Sequence, residues 1–242
     1  MVFFENGSTT DACSADENDC YRFDDEDLSG AANCTVSDRS TAGTGKTATG
    51  TDASLSLSCD FEIYFNATAS SDWEMSATVT DGTGDTNFAD SSSDTEVAAL
   101  AGIGVSEAGI AYGTVAVGGD SSVQTTTMEN LGNQVLDVLL DGTNMSSGGN
   151  TIAAAQQHWH PSSSSFTYGT GDFALVTSAS TGTETSGCLN RDMAVRNVHD
   201  TGTEDEAIYW RIRIPAAQES GSYTGTNTFA TTASSSCTGT LN

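Results

Sequence analysis

The amino-acid sequence predicts an all-β protein, two tandem β-sandwich domains stapled by disulfides. Short runs of alternating apolar and polar residues recur between clusters of Gly, Asn, Asp, Ser and Thr, the pattern of half-buried strands and polar turns. The 242 residues include two prolines and no long apolar run at helical spacing. Six cysteines, an even number and widely spaced, supply the staples. Hydrophobic residues make up only 36% of the chain, which a sandwich tolerates because alternate strand positions face water. Low apolar content with high charge is also the signature of disorder, but the regular strand-like segments and the cysteines argue against it.

Residues 1–93 read as the first domain. Val2-Phe3-Phe4 is a short apolar strand followed by an Asn6-Gly7 turn, and Tyr21-Arg22-Phe23 follows the Cys13–Cys20 segment. Asp24 to Asp27 is a block of like charge, a solvated loop. Cys34-Thr35-Val36 leads into a Gly/Thr/Ser-rich loop. From Ala53 to Asn66 the chain alternates, with Leu55, Leu57 and Cys59 on one face, then Phe61, Ile63 and Phe65. Trp73 to Thr80 is another strand, ended by Asp81-Gly82-Thr83-Gly84-Asp85, and Ala89 to Asp94 is a linker.

Residues 94–242 read as the second domain, organised around Ile110 to Leu140. Ile110, Tyr112, Val115 and Val117 form a strand that turns at Gly118-Gly119-Asp120. Ser122 to Glu129 is a Thr-rich half-buried strand. Asn130-Leu131-Gly132-Asn133 is a turn whose Asn and Gly tolerate positive φ, and Val135 to Leu140 is the next strand. Phe166 to Gly169 and Phe173 to Val176 are short strands around a turn. Ile208 to Pro215 is the clearest strand, with Ile208, Trp210, Ile212 and Ile214 on one face. Ser220 to Phe229 supplies the closing turn and last strand.

Several of these stretches, I-A-Y-G-T-V-A-V-G followed by N-L-G-N-Q-V-L-D-V, and Y-W-R-I-R-I-P-A followed by S-G-S-Y-T-G-T-N-T-F, resemble immunoglobulin-like β-sandwich modules of secreted prokaryotic surface proteins. The resemblance spans residues 97–232, and more loosely 11–88 through C-D-F-E-I-Y-F-N-A and D-W-E-M-S-A-T-V-T-D-G-T-G-D-T. It implies an extracellular, non-catalytic building block assembled from many copies. A sandwich by itself transfers no function.

The formal net charge is −26, from 33 Asp and Glu against seven Lys and Arg, with Lys46 the sole lysine. Nucleic acid is a poor partner, because phosphate binding needs clustered cations. An anionic membrane surface is disfavoured for the same reason. The acidity fits first a solvated surface in salty surroundings, then calcium at acidic turns, then a packed array bridged by cations. Nothing resembles a transmembrane helix, and Met1-Val2-Phe3-Phe4-Glu5 is no signal peptide, so the expectation of an extracellular, cell-surface location rests on the cysteines.

Fifteen connectivities are open to six cysteines. Proximity within domains favours Cys13–Cys20, Cys34–Cys59 and Cys188–Cys237. His158 and His160, two apart on a strand, present both imidazoles on one face and are the best metal candidates, with His199 or an Asp as third ligand. Asp81, Asp85, Asn87 and Asp90 are a candidate calcium set, as are the turns Asp16 to Asp19 and Asp24 to Asp27. Asn6, Asn33, Asn66 and Asn144 begin N-x-S/T triplets and permit glycans. Gly43-Thr44-Gly45-Lys46-Thr47 imitates the tail of a phosphate-binding loop, but Ser40 stands where its first Gly belongs. No nucleophile elbow or zinc-protease motif is present. The expectation is a structural subunit of a filament or surface layer, requiring no cofactor, with itself as partner. Val2, Phe3 and Phe4 form either an ordinary edge strand of their own domain or, as the candidate assembly contact, a donor strand for another copy. A module that binds carbohydrate or a cell surface through its loops is the alternative.

Overall fold

The structure, a computed structural model, describes residues 2–6, 18–23, 34–37, 56–61, 63–80, 83–91, 93–161, 164–196 and 206–239. The fold is all-β, as expected: apart from single 3-10 turns at Ala154–Gln156 and Glu184–Ser186, every regular element among these residues is a strand. The chain changes from one compact unit to a second between Ala99 and Leu100.

The first unit contains β1 (Val2–Asn6), β2 (Cys20–Phe23), β3 (Cys34–Ser37), β4 (Ser56–Cys59), β5 (Ser70–Thr80), β6 (Thr86–Asp90) and β7 (Thr95–Val97). The main sheet runs β2-β1-β5-β6, with β7 also on β5, while β3 and β4 form a separate antiparallel pair. β1, which carries the candidate donor residues Val2, Phe3 and Phe4, lies inside its own sheet, antiparallel to β2 on one edge and to β5 on the other. Both of its backbone edges are therefore paired within this unit.

Trp73 anchors this unit at 0% exposure, and its indole N–H donates to Thr68 O at 2.8 Å. Tyr21 packs on Trp73 with ring centroids 5.8 Å apart. The expected continuation of β4 through Phe61, Ile63 and Phe65 does not form. The partner strand β3 is only four residues long, and beyond Cys59 the chain turns, closed by Ala67 N–H donating to Tyr64 O. The turn buries Asn66 and Ala67 and leaves Ile63, Tyr64 and Phe65 exposed.

The second unit contains β8 (Ile103–Val105), β9 (Gln124–Asn130), β10 (Leu136–Gly142), β11 (Met145–Ser147), β12 (Asn150–Ile152), β13 (Gln157–His160), β14 (Phe173–Ala174), β15 (Cys188–Met193), β16 (Glu206–Ile212) and β17 (Asn227–Ala233). A five-stranded sheet runs β14-β13-β16-β9-β8, a three-stranded sheet runs β15-β10-β17, and β11 and β12 pair by themselves. One core draws on both larger sheets: Met128, Trp159, Ile208 and Trp210 from the first meet Val138, Leu140, Leu189 and Met193 from the second. Each such fully buried side chain stabilises the fold by about 1.5–3 kcal/mol. The successive strands β9 and β10 lie in different sheets, as do β16 and β17, and β9 pairs with β16 while β10 pairs with β17.

Ile110 to Val117 is not a strand. Ile110 and Tyr112 do pack against the core, but Gly113 (φ 71°) and Gly118 (φ 75°) break the extended run, and Val117 is 52% exposed. Backbone pairing resumes only where Gly118 and Ser121 N–H donate to Ile214 and Ile212 O. Phe166 to Gly169 is likewise a turn region without strand structure, and Gly169 adopts φ 80°.

The Asn130–Asn133 turn is present, but its residues serve another purpose than positive φ, which none of them adopts. Asn130, fully buried, donates through Nδ2 to the carbonyls of Gln134 and Met193 and accepts Gly132 N–H. Asn133 Oδ1 accepts Leu100 N–H at 2.7 Å. A Cβ on Gly132 would lie 2.3 Å from Leu100 O. Glycine is needed for the close approach of two backbones.

Candidate functional site

Among the described residues, histidine, arginine and aromatic side chains gather on the outer face of β13 and β16. Their antiparallel register pairs His158 with Arg211, Trp159 with Trp210 and His160 with Tyr209. Alternation sends Trp159, Trp210 and Ile212 into the core, each at most 1% exposed. His158, His160 and Arg211 take the opposite face, and Arg213 follows two residues on. Two of the chain's three histidines and two of its seven cationic residues thus meet here.

The β13–β14 loop folds back over this face with a matching two-residue period. Tyr168 stacks on His158, ring centroids 4.0 Å apart, and the Arg213 guanidinium lies 4.1 Å from the Tyr168 ring. Phe166 stacks on His160 at 5.6 Å, with Arg211 5.7 Å from the Phe166 ring. Each loop aromatic therefore contacts one histidine of β13 and one arginine of the β16 segment. Cation–π contacts of this kind contribute about 0.5–2 kcal/mol each, more where water is excluded.

Two acidic residues flank the His158, Tyr168 and Arg213 group. Asp172 Oδ2 lies 2.7 Å from His158 Nδ1 and accepts Gly169 N–H at 2.8 Å. Asp120 accepts two guanidinium N–H groups of Arg213, at 2.6 and 2.8 Å. Those bonds, with the neighbouring positive charge, hold the Asp120 carboxyl below its usual range. Burial lowers the His160 imidazole, and the charge of Arg191 adds to the effect while Asp172 opposes it. Burial raises the Tyr168 phenol. The arrangement clamps a loop to a sheet through rings and charges already engaged with one another.

His158 and His160 do share a face as expected, yet His158 Nδ1 is taken by Asp172 and His160 is stacked on Phe166. His199 lies outside the described residues. Among the described residues no three His, Cys, Asp or Glu side chains come together as a metal site. Asp85, Asn87 and Asp90 are exposed, with Asp85 accepting the Thr83 hydroxyl and Asn87 Oδ1 accepting Phe88 N–H. Asp85 precedes β6 and Asp90 ends it, so the two stand about 16 Å apart along an extended strand. That strand does not gather them into one calcium site. Asp81, Asp16, Glu17 and Asp24 to Asp27 lie outside the described residues, as does Gly43 to Thr47.

Of the N-x-S/T triplets, Asn66 is 3% exposed with its Nδ2 donating to Asn18, which hides the atom a glycan would join. Asn144 is exposed, its Oδ1 accepting Ala154 N–H at 2.9 Å. Asn6 ends β1 and Asn33 lies outside the described residues. Cys188 and Cys237 form a disulfide as expected, closing a sequence separation of 49. Cys20 and Cys59 are each disulfide-bonded, and the β3–β4 register sets Cys34 opposite Cys59. Cys13 lies outside the described residues.

A shallow cleft of about 470 Å³ beside β14 is lined by Ala153, Ala154, Ala155 and Leu175, with Asn144 and Asp172 at its polar side. Both of those side chains are already engaged, as described above. Sequence reasoning missed Asp137, although a lone charge within V-L-D-V-L-L was the signal. It is fully buried and accepts the N–H groups of Arg191, Asp192 and Cys237. No family model, curated protein or solved structure matches this chain. Among the described residues no helix is long and apolar enough to cross a membrane, and the disulfide is compatible with an extracellular protein.

Proposed function

We propose that the chain is an extracellular structural protein, a subunit of a cell-surface filament or surface layer built from immunoglobulin-like sandwiches. One observation carries this reading: in the second unit, buried polar groups tie chain segments down. Asp137 joins β10 to the β15 backbone and to Cys237, and the disulfide joins the same Cys237 to β15. The clamp on β13 and β16 does the same for the 164–172 loop. Cross-bracing of this kind suits a module that must hold its shape outside the cell. Support for immunoglobulin-like topology comes from β9 and β16 pairing in one sheet and β10 and β17 in the other.

The partner in this reading is the chain itself, calcium is the candidate bridging cation, and the acidic surface stays hydrated in salt. Negative-stain microscopy of the full chain across sodium and calcium concentrations is the test. Regular polymers are expected; dispersed particles under every condition overturn the reading. A carbohydrate- or surface-binding module is the second reading, favoured by the exposed Ile63, Tyr64 and Phe65 of the first unit, at 39%, 48% and 45%. Dispersed particles retained on a glycan array would favour it.

A further inference from the structure

We infer that the free edge of β17 is a self-association surface, joining two copies of this chain by antiparallel strand pairing. The inference rests on the structural-subunit reading and names one contact of that assembly. β17 pairs with β10 on one side, and among the described residues no strand pairs with its other side. The rung beyond Gly142↔Asn227 shows which backbone groups point where. Thr143 N–H donates to Thr226 O at 2.8 Å, so Thr226, Thr228, Ala230 and Thr232 direct their backbone groups at β10. Asn227, Phe229 and Thr231 direct theirs outward. Consistently, the N–H groups of Leu140 and Gly142, opposite Phe229 and Asn227, leave β10 by its far edge to Gly187 and Val176. Among the described residues no hydrogen bond satisfies the outward groups of Phe229 and Thr231.

An exposed edge strand is ordinarily blunted by charge, proline, a bulge or shortness. The other edges of this unit follow that rule. β8 and β14 have three and two residues, and β15 carries Arg191, Asp192 and a register irregularity. β17 has seven residues, N-T-F-A-T-T-A, with no charge and no proline. It lies in a run from Ser220 to Asn242 without a single Asp, Glu, Lys or Arg, in a chain of net charge −26. That contrast selects the occupant. Two copies repel over most of their surface but can approach along this segment, and an antiparallel edge is complementary to itself about a two-fold axis. Centring the axis on Phe229 sets Asn227 of each copy opposite Thr231 of the other, and fuses two three-stranded sheets into one.

The test uses the full chain. Thr231→Pro removes an outward N–H while sparing the β10 ladder, and Ala230→Glu places a charge on the exposed side of the edge. Sedimentation equilibrium should show wild-type dimers or larger species, with at least a tenfold weaker association in each variant at unchanged unfolding midpoint. Independently of the variants, the Phe229 and Thr231 amides of the wild type should exchange slowly at high protein concentration and rapidly on dilution. A wild type that stays monomeric, or variants that associate as well as wild type while both amides exchange fast at every concentration, overturns the inference. Regular polymers formed equally by Thr231→Pro would remove this contact and leave the structural reading standing. Dimers that never polymerise would do the reverse.

Discussion

Asp137 on β10 and Cys237, one hundred residues apart in the chain, meet where the Asp137 carboxylate accepts the Cys237 N–H at 3.2 Å. Its other oxygen accepts the N–H groups of Arg191 and Asp192, each at 3.0 Å. The carboxylate thereby ties together the two segments that the Cys188–Cys237 disulfide also joins. A buried charge is tolerated when it is fully hydrogen-bonded, and here backbone donors perform that role.

Asp137→Ala should orphan three N–H groups and lower stability by about 3 kcal/mol or more, since each unmet buried donor costs about 1–3 kcal/mol. Asp137→Asn should cost less, because its amide oxygen can still accept while its NH2 opposes one donor. Urea unfolding of both variants checks the order. Equal stability of Asp137→Ala and wild type would remove Asp137 from the brace.

Replacing both Cys188 and Cys237 with Ser should cost about 2–4 kcal/mol, the usual worth of a long-loop disulfide. Because Asp137 holds the same segments, combining the pair with Asp137→Asn should give a non-additive loss, measurable as a double-mutant cycle. Strict additivity would show that the two ties act independently.

Gly132→Ala should destabilise by about 1–3 kcal/mol, the usual penalty of overpacking, because the new Cβ would meet Leu100 O at 2.3 Å and Gly102 N at 3.0 Å. The same change at Gly148, with open space around its Cβ position but φ 55°, should cost about 1 kcal/mol through backbone strain alone. Thermal melts of the two variants compare the causes; a larger loss at Gly148 would contradict this account.

The His160 imidazole is lowered in the folded protein, chiefly by burial. Between its ordinary value of about 6.5 and its folded value, the unfolded chain binds the proton more readily. Stability contributed by neutral His160 is thus complete above about pH 6.5 and declines as pH falls toward the folded value. His160→Phe should flatten the unfolding midpoint between about pH 7 and pH 5 relative to wild type. An identical slope in both proteins would sink the assignment.

At net charge −26, self-repulsion opposes compactness, and screening shortens its range to about 10 Å at 0.1 M salt. The melting temperature should rise as sodium chloride increases from low to moderate concentration. A fall would defeat the charge argument. A greater effect of calcium at matched ionic strength would indicate specific sites among the acidic turns.

Alternation was a sound guide where a partner strand existed. Ile208, Trp210 and Ile212 alternate in sequence and are buried together in β16. Ile110 and Tyr112 alternate equally well and do face the core, yet their segment is no strand, because periodicity reports which side chains turn inward and not whether a backbone lies alongside. The candidate site divides in the same way. A two-residue spacing placed His158 and His160 on one face. That Tyr168 and Phe166 would fold over them, and that Arg211 and Arg213 would stand beside, follows from strand register and loop path, which adjacent residues do not encode.

By itself the sequence determined the all-β character, the inward-facing residues of the strongest strands and the acidic balance, because each is a property of composition or of neighbours two apart. It also contained the uncharged stretch from Ser220 onward. Only the tertiary structure decided that β17 within this stretch is an edge and that β1, apolar and terminal, is not. The physical reason is that pairing order is set by contacts between residues remote in the chain, where sheet closure and core packing choose among strands of similar local preference.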